Sequence, residues 1–533
     1  MQMESGAAAP PHAGVTAGIG ELVRVRGEQS PDHPYVESAD RSRTLTFRQL
    51  LLSARGWAAL LDDLGAAPGA IIGLAVADPV DFTSVFMGVL ASGRRAAPFD
   101  PHGTDAELAA VGGRIDTSLV ISDRPSPGPT DWLTMPAGAF VLDGSPPARL
   151  SGGGGLVLST SGTTGVPKVI DLDEGRLLQT ARAVVAHHEL SPADRGFNPL
   201  PLFHVNAEVV GLLSALVAGA TLVLDDRFHR RGFWAALARH RITWVNAVPA
   251  ILARLSVLQD DETVPPGIRF ARSASAPLPA AVLARFERAT GIPVLETYGM
   301  TEAASQITAN PLHGPRKEGS VGLPVGTEVR VVGELGVGET GVGEPGVGET
   351  GVGETGVGEN GVVEPQCVGR VEIRGPSVIS AYARPGYEDR FDADGWLATG
   401  DLGYFDEDGY LYLVGRVDDV INRSGEKIYP REVEEVILAE PGVATVAVVA
   451  WDHEVLGQVP VAYLVAEGVQ GADERTRAAA LVARLQECCA EKLSRPKRPY
   501  AYHVVDQLPQ SATGKVRRRS VAEGLAIYTL LVQ

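Results

Sequence analysis

Cysteine is scarce in this chain. Only Cys367, Cys488 and Cys489 occur among 533 residues, and the last two are sequence neighbours, so a disulfide framework is excluded and a reducing cytoplasm is the expected home. Positive charge is also short: 47 Lys and Arg against 65 Asp and Glu leave a net charge of −18. The summed field repels polyphosphate backbones, which argues against a general role on nucleic acid or on an anionic membrane. A polyanionic ligand must then be met by local cations. Long apolar runs are missing too. The longest, Val209 to Leu224, contains Ser214 and Thr221 and is too short to span a bilayer; it reads as a buried helix leading into a strand. Residues 1 to 14 show no basic start followed by an apolar core, so no secretory signal is expected. What remains is ordinary globular composition, 44% hydrophobic and 21% charged. A chain of 533 residues is too long for one core, so one large and one smaller domain are expected.

The most informative stretch is residues 158 to 168, Leu-Ser-Thr-Ser-Gly-Thr-Thr-Gly-Val-Pro-Lys. The hydroxyls of Ser159, Thr160, Ser161, Thr163 and Thr164 are interleaved with Gly162 and Gly165, which let backbone N–H groups approach an oxyanion. Lys168 supplies a cation. The apolar run Gly155 to Leu158 ahead of it reads as a strand, which puts the loop where nucleotide-binding turns lie in α/β folds. It is not a Walker loop, because Val166 and Pro167 separate Gly165 from Lys168. A flexible Ser/Gly/Thr linker has the same composition, so the loop needs support from elsewhere.

Elsewhere the chain alternates. Ile19 to Val23 reads as a first helix, and Thr46 to Leu64 as a longer one with a hydroxyl cap. Apolar strand and helix patterns follow at Ile71 to Ala77, Phe82 to Ser92, Thr117 to Ile121, Thr221 to Leu224, Trp234 to His240 and Thr243 to Asn246. This argues for a layered α/β architecture with largely parallel sheets. Between 336 and 360 the pentad Gly-Val-Gly-Glu-X occurs five times in succession. A glycine-rich, acidic repeat cannot bury a core and is expected to be a mobile surface insertion.

Four more blocks occur in order: Thr297-Tyr298-Gly299-Met300-Thr301-Glu302, Thr399-Gly400-Asp401, Gly415-Arg416-Val417-Asp418-Asp419 and Ser511-Ala512-Thr513-Gly514-Lys515. With the Ser/Thr/Gly loop, they resemble the adenylate-forming superfamily of acyl-CoA synthetases, adenylation domains and luciferases, from about residue 20 to about residue 520. Within it, Arg272 to Leu278, Glu296 to Asn310 and Ile421 to Val436 look like the branch holding oxalate-CoA and carnitine-CoA ligases. That branch also holds amide synthetases such as aminocoumarin-antibiotic ligases, which join an aryl acid to an amine. The resemblance implies a large N-terminal domain of layered sheets and helices with a small β-barrel-like part, and a small mobile α+β C-terminal domain. The divisions expected are a flexible tail over 1–18, the large AMP-binding domain over 19–415 with the repeat inserted, a hinge at 416–418 and the C-terminal domain over 419–533.

The same resemblance implies that the chain activates a carboxylic acid with ATP to an acyl-adenylate, releases pyrophosphate and passes the acyl group to CoA. The second reading passes it to an amine. Thr160, Ser161, Gly162, Thr163, Thr164, Gly165 and Lys168 would hold the β- and γ-phosphates. Thr301 would contact the α-phosphate, and Glu302 would be a ligand to Mg²⁺. Tyr298 with Gly299 would flank the adenine, with Ser275 and Ala276 on its other side. Asp401 would accept hydrogen bonds from the ribose hydroxyls, with Arg416 assisting. Lys515 would bridge the carboxylate and the α-phosphate. After rotation about Asp418, Gly425 would let a thin nucleophile pass; Ser424 stands where the branch commonly has a second glycine, and Asn422 where a lysine is widespread.

His204, in Asn198 to Glu208, would border the substrate carboxylate, and Trp244, Asn246 and Val248 would continue the wall. Asn206, Glu208 and Asn246 would give the pocket polar character. Arg517 to Arg519 read as a solvated face. No carrier-protein domain follows Lys515, so a complete peptide-synthetase module is not expected, whereas a homodimer is compatible with the pattern. A pseudoenzyme would have lost Lys515, Glu302 or the loop, and all are present.

Overall fold

The computed structural model describes residues 17–125, 132–142, 148–160, 168–333, 366–466, 474–510 and 516–524. The loop residues Ser161, Gly162, Thr163, Thr164 and Gly165, the pentad repeat and Lys515 lie outside the described residues.

Local sequence sets the first elements as expected. The helix Ile19–Gln29 is followed by Phe47–Asp63, whose cap is reciprocal: Thr46 Oγ1 accepts from the Gln49 N–H at 3.3 Å, and the Gln49 side chain accepts from the Thr46 N–H at 2.9 Å. Its inner face buries Leu50, Ala54, Trp57 and Leu61 against the helix Pro79–Ala91. The two helices cross closely because Gly88 has no side chain; a Cβ there would lie 2.5 Å from that of Trp57.

Two sheets carry the nucleotide-side strands. A six-stranded sheet runs Trp132–Thr134, Leu119–Ser122, Ile71–Ala75, Arg95–Pro98 and Gly155–Thr160 in parallel, and Lys168–Asp173 then pairs antiparallel with Gly155–Thr160. Residues 161–167 therefore connect two antiparallel strands at the carboxyl end of a parallel one, where Thr160 pairs with Lys168 in register. The second sheet has thirteen strands. Its parallel part is ordered Val294–Met300, Phe270–Ser273, Trp244–Ala247, Arg195–Asn198, Thr221–Leu224 and Pro34–Ser38. The carboxyl ends of these strands deliver Tyr298, Arg272, Asn246 and Asn198 to one side, which is where ligands bind in open α/β sheets.

Beyond Val294–Met300 the sheet turns antiparallel through Ser305–Ala309, Ser320–Pro324, Leu411–Arg416, Leu397–Phe405, Gly369–Arg374 and Glu328–Val332. This extension occupies the place of the expected barrel-like part. Among the described residues it does not close: Glu328–Val332 pairs on one side only and ends the path. Because Val332 pairs with Arg370, the segment holding the pentad repeat joins two adjacent strands of a hairpin.

The apolar run at 209–224 is a buried helix entering the strand Thr221–Leu224, as read from sequence. Its first part, Asn206–Leu213, has the wider π geometry, with all of its residues buried. Such segments are frequent at functional sites.

Residues 421–521 build separate cores on both faces of a smaller sheet. Alternation along Val443–His453 explains this: Val446 and Val448 face the helices Pro430–Leu438 and Glu474–Lys492, whereas Ala447 and Val449 pack with Leu508 and Val521. The strands Ile421–Arg423 and Glu426–Ile428 are joined by Ser424 and Gly425 alone, at φ 52° and 92°. That is the backbone of a type I′ turn, in which both central residues are left-handed.

Candidate active site

Two ion pairs organise one side of the candidate site. Lys168 Nζ lies 3.8 Å from Glu302 Oε1, and Tyr382 joins them, its hydroxyl donating to Glu302 Oε1 at 3.0 Å and lying 3.3 Å from Lys168 Nζ. The rings of Tyr382 and Tyr387 flank the ammonium at 5.0 and 5.1 Å. Burial lowers the Lys168 pKa, and the Glu302 carboxylate partly restores it. In the second pair, Arg416 Nη1 donates to Asp401 Oδ1 at 3.1 Å while the Tyr298 hydroxyl donates to Asp401 Oδ2 at 2.5 Å. Asp401 and Arg416 face each other in register, so strand pairing itself sets this contact. The two clusters adjoin, since Arg390, Arg416 and Asp418 all act on Lys168 electrostatically.

Thr301 and Glu302 lie on a single 3-10 turn, Thr301–Ala303, at the end of Val294–Met300. Ala304 and Ser305 after it are both left-handed, φ 52° and 101°, a strained pair of the kind found at active sites. Gly299 is required by the same turn, because a Cβ there would fall 1.6 Å from the Ser305 carbonyl oxygen.

A cavity of about 230 Å³ opens beside this turn, lined by Thr301, Gly299, Ser275, His204, Asn206 and Arg272 among others. The structure thus brings Thr301, Gly299 and Ser275 from the nucleotide side together with His204. Ala276 follows Ser275 and is half-buried. Burial takes the His204 pKa down to about 4, opposed by Asp100, so its imidazole is neutral at pH 7. Its Nε2 is buried without a partner.

Some expected placements differ. Glu208 does not line the cavity; it is fully buried with both carboxyl oxygens unpartnered, and burial raises its pKa well above the usual range, which keeps it neutral. Arg518 is no solvated residue: it bonds Glu434 Oε2 at 2.5 Å and Asp419 Oδ2 at 3.2 Å. Gly425, expected at the site only after rotation, is exposed here and does not line the cavity. Sequence reasoning missed Tyr382 and Arg390, which lie in no block with a recognisable spacing. It also gave Arg272 no role, although a charged residue in a short apolar strand was a usable signal.

The chain matches known proteins over most of its length. The model of the AMP-binding enzyme family matches residues 23–146 and 156–359, and that of the AMP-binding enzyme C-terminal domain matches 432–515. The chain belongs to the AMP-binding enzyme family. It is 34% identical over 525 residues to the sulfoacetate–CoA ligase of Cupriavidus necator, covering 94% of this chain and 96% of that one. The oxalate–CoA ligase of Arabidopsis thaliana is 33% identical over 506 residues, covering 89% and 91%. Among solved structures, the o-succinylbenzoate CoA synthetase of Bacillus subtilis with its acyl-adenylate intermediate superposes with a TM-score of 0.79 at 25% identity, covering 95% of this chain and 99% of that one. The chain is an AMP-forming ligase. Among the described residues no helix is long and apolar enough to cross a membrane.

Proposed function

We propose that this ligase activates a short, polar carboxylic acid with ATP and transfers the acyl group to the thiol of CoA. The observation that carries the reading is the single cavity shared by Thr301, on the nucleotide side, and by His204 and Asn206 on the acid side. A volume of about 230 Å³ suits a short acid rather than a long aliphatic chain.

In the first half-reaction a carboxylate oxygen attacks the α-phosphorus of ATP, the bond to the β-phosphate bridge breaks, and pyrophosphate leaves with the electron pair. Lys168, Thr301 and the 160–165 loop hold the phosphates, and Asp401, fixed by Tyr298 and Arg416, accepts from the ribose hydroxyls. The site fits Mg²⁺, since Glu302 offers one hard oxygen ligand beside where phosphate oxygens supply the rest. Bound there, the ion would neutralise charge on the departing pyrophosphate. Neutral His204 borders the carboxylate without adding charge. Lys515 is the cation assigned to the α-phosphate in this step.

In the second half-reaction the CoA sulfur attacks the acyl carbon and AMP leaves. Rotation about Asp418 would bring the Ser424-Gly425 turn to the cavity. A thiol is favoured over an amine because an ammonium must first lose a proton. His204, with a pKa of about 4, is a weak base, and Glu208 lies off the cavity. Three free cysteines agree with a cytoplasmic home. Mass analysis after incubation with an acid panel, ATP, Mg²⁺ and either CoA or aryl amines tests the reading. A thioester is expected; amide without thioester would reverse it.

A further inference from the structure

The strand Phe270–Ser273 is buried at every position, yet it carries an arginine that is 1% exposed. All the partners of Arg272 are amide oxygens. Nη1 donates to Asn206 Oδ1 at 2.8 Å and to Asn246 Oδ1 at 3.3 Å, while Nε and Nη2 donate to Gln306 Oε1 at 3.4 and 3.3 Å. Among the described residues no carboxylate acts on it, and burial alone lowers its pKa to about 9. The groups packed behind it, His187 and His188, are themselves held neutral by burial and by the Arg272 charge. Glu208 is not among the groups that act on Arg272.

The amides add a second, independent sign. Because Asn206 and Gln306 turn their oxygens to the guanidinium, their Nδ2 and Nε2 groups point elsewhere and are buried with no acceptor. His204 Nε2 is likewise buried without a partner among the described residues. Arg272, Asn206 and His204 line the cavity. A buried cation surrounded by spare N–H donors is costly unless an acceptor with negative charge completes it.

We propose that Arg272 and Asn206 form a subsite for a second anionic group on the acid, so that the chain takes short acids bearing a carboxylate or sulfonate at the end away from the carboxyl that is activated. The ligand supplies the counter-charge that the protein omits, and it can accept from the fifth guanidinium N–H, the other four being given to amide oxygens, and from Asn206 Nδ2. A neutral acid of the same shape leaves the donors unmet and is rejected. The proposal rests on the acid-activating reading of the cavity.

Pyrophosphate exchange, which needs no CoA, tests it with the intact protein and matched acids: succinate against succinamate, and 3-sulfopropionate against butyrate. The wild type is expected to prefer the dianion by roughly a hundredfold in kcat/KM, mostly through KM. Arg272→Met should bring the ratio to within about fivefold with the KM for ATP kept, and Arg272→Lys should retain part of it. Equal use of the neutral partners by the wild type overturns the proposal, as does a preference that survives in Arg272→Met. If Arg272→Met does not fold, the wild-type pairs decide alone. Exchange driven by neutral acids only would remove this inference and leave acid activation standing; exchange with no acid of either kind would remove both.

Discussion

The cavity and the ion-pair cluster next to it handle charge in opposite ways. In that cluster Lys168 has Glu302, and Arg416 has Asp401. On the acid side Arg272 has only amides. A ligand that brings its own metal, as a triphosphate does, needs groups already held at fixed distances, so internal pairs serve it well. A bare organic anion needs an unneutralised partner, which is the part proposed for Arg272.

The comparison is broken most severely by removing the cation assigned to the α-phosphate. Lys515→Ala should lower adenylation by roughly a thousandfold, while transfer to CoA from supplied acyl-adenylate persists. Equal loss in both half-reactions, with the fold intact by circular dichroism, would deny it a step-specific role. Asp401→Asn comes next. It leaves Arg416 without its counter-charge and weakens the ribose acceptor, so kcat/KM for ATP should fall by roughly a hundredfold. Selectivity among acids should not change; if it does, the two ends are not independent.

A third test concerns a carboxyl just behind the nucleotide side. Burial raises the Glu296 pKa to about 7, against the pull of Arg431. Its folded pKa lies above its unfolded one, so the stability it contributes is present below about pH 4.5 and lost as pH rises through 7. The window corresponds to about 3 kcal/mol. Urea unfolding should therefore show Glu296→Gln gaining on the wild type between pH 5 and pH 8, and a difference independent of pH would contradict the assignment. The smallest effect is expected at the hairpin turn. Ser424 adopts φ 52°, where a side chain is strained, so Ser424→Gly should stabilise the protein by about 1 kcal/mol or less, read as a small rise in Tm.

The paired end was legible in sequence and the unpaired end was not. Thr301, Glu302, Asp401 and Arg416 fall in short contiguous blocks, because one turn and one pair of registered strands place them. The layered parallel sheets were legible for a similar reason, since apolar periodicity reports each strand and helix locally. The Arg272 network draws Asn206, Asn246 and Gln306 from three other elements, and no local spacing encodes that convergence. Tyr382 reaches Lys168 and Glu302 from a loop with no periodic pattern. The π segment Asn206–Leu213 has the composition of an ordinary buried helix, so its wider turn was invisible. Arg518 looked solvated because its partners, Glu434 and Asp419, lie far off in sequence.

The central claim is that the acid carboxylate itself attacks the α-phosphorus. An acid that supports pyrophosphate exchange, labelled with ¹⁸O in its carboxyl group and turned over with ATP and CoA, tests this most directly by mass spectrometry of the nucleotide. One labelled oxygen should appear in the phosphate of AMP and none in pyrophosphate. Unlabelled AMP, or ADP formed together with labelled orthophosphate, would contradict it.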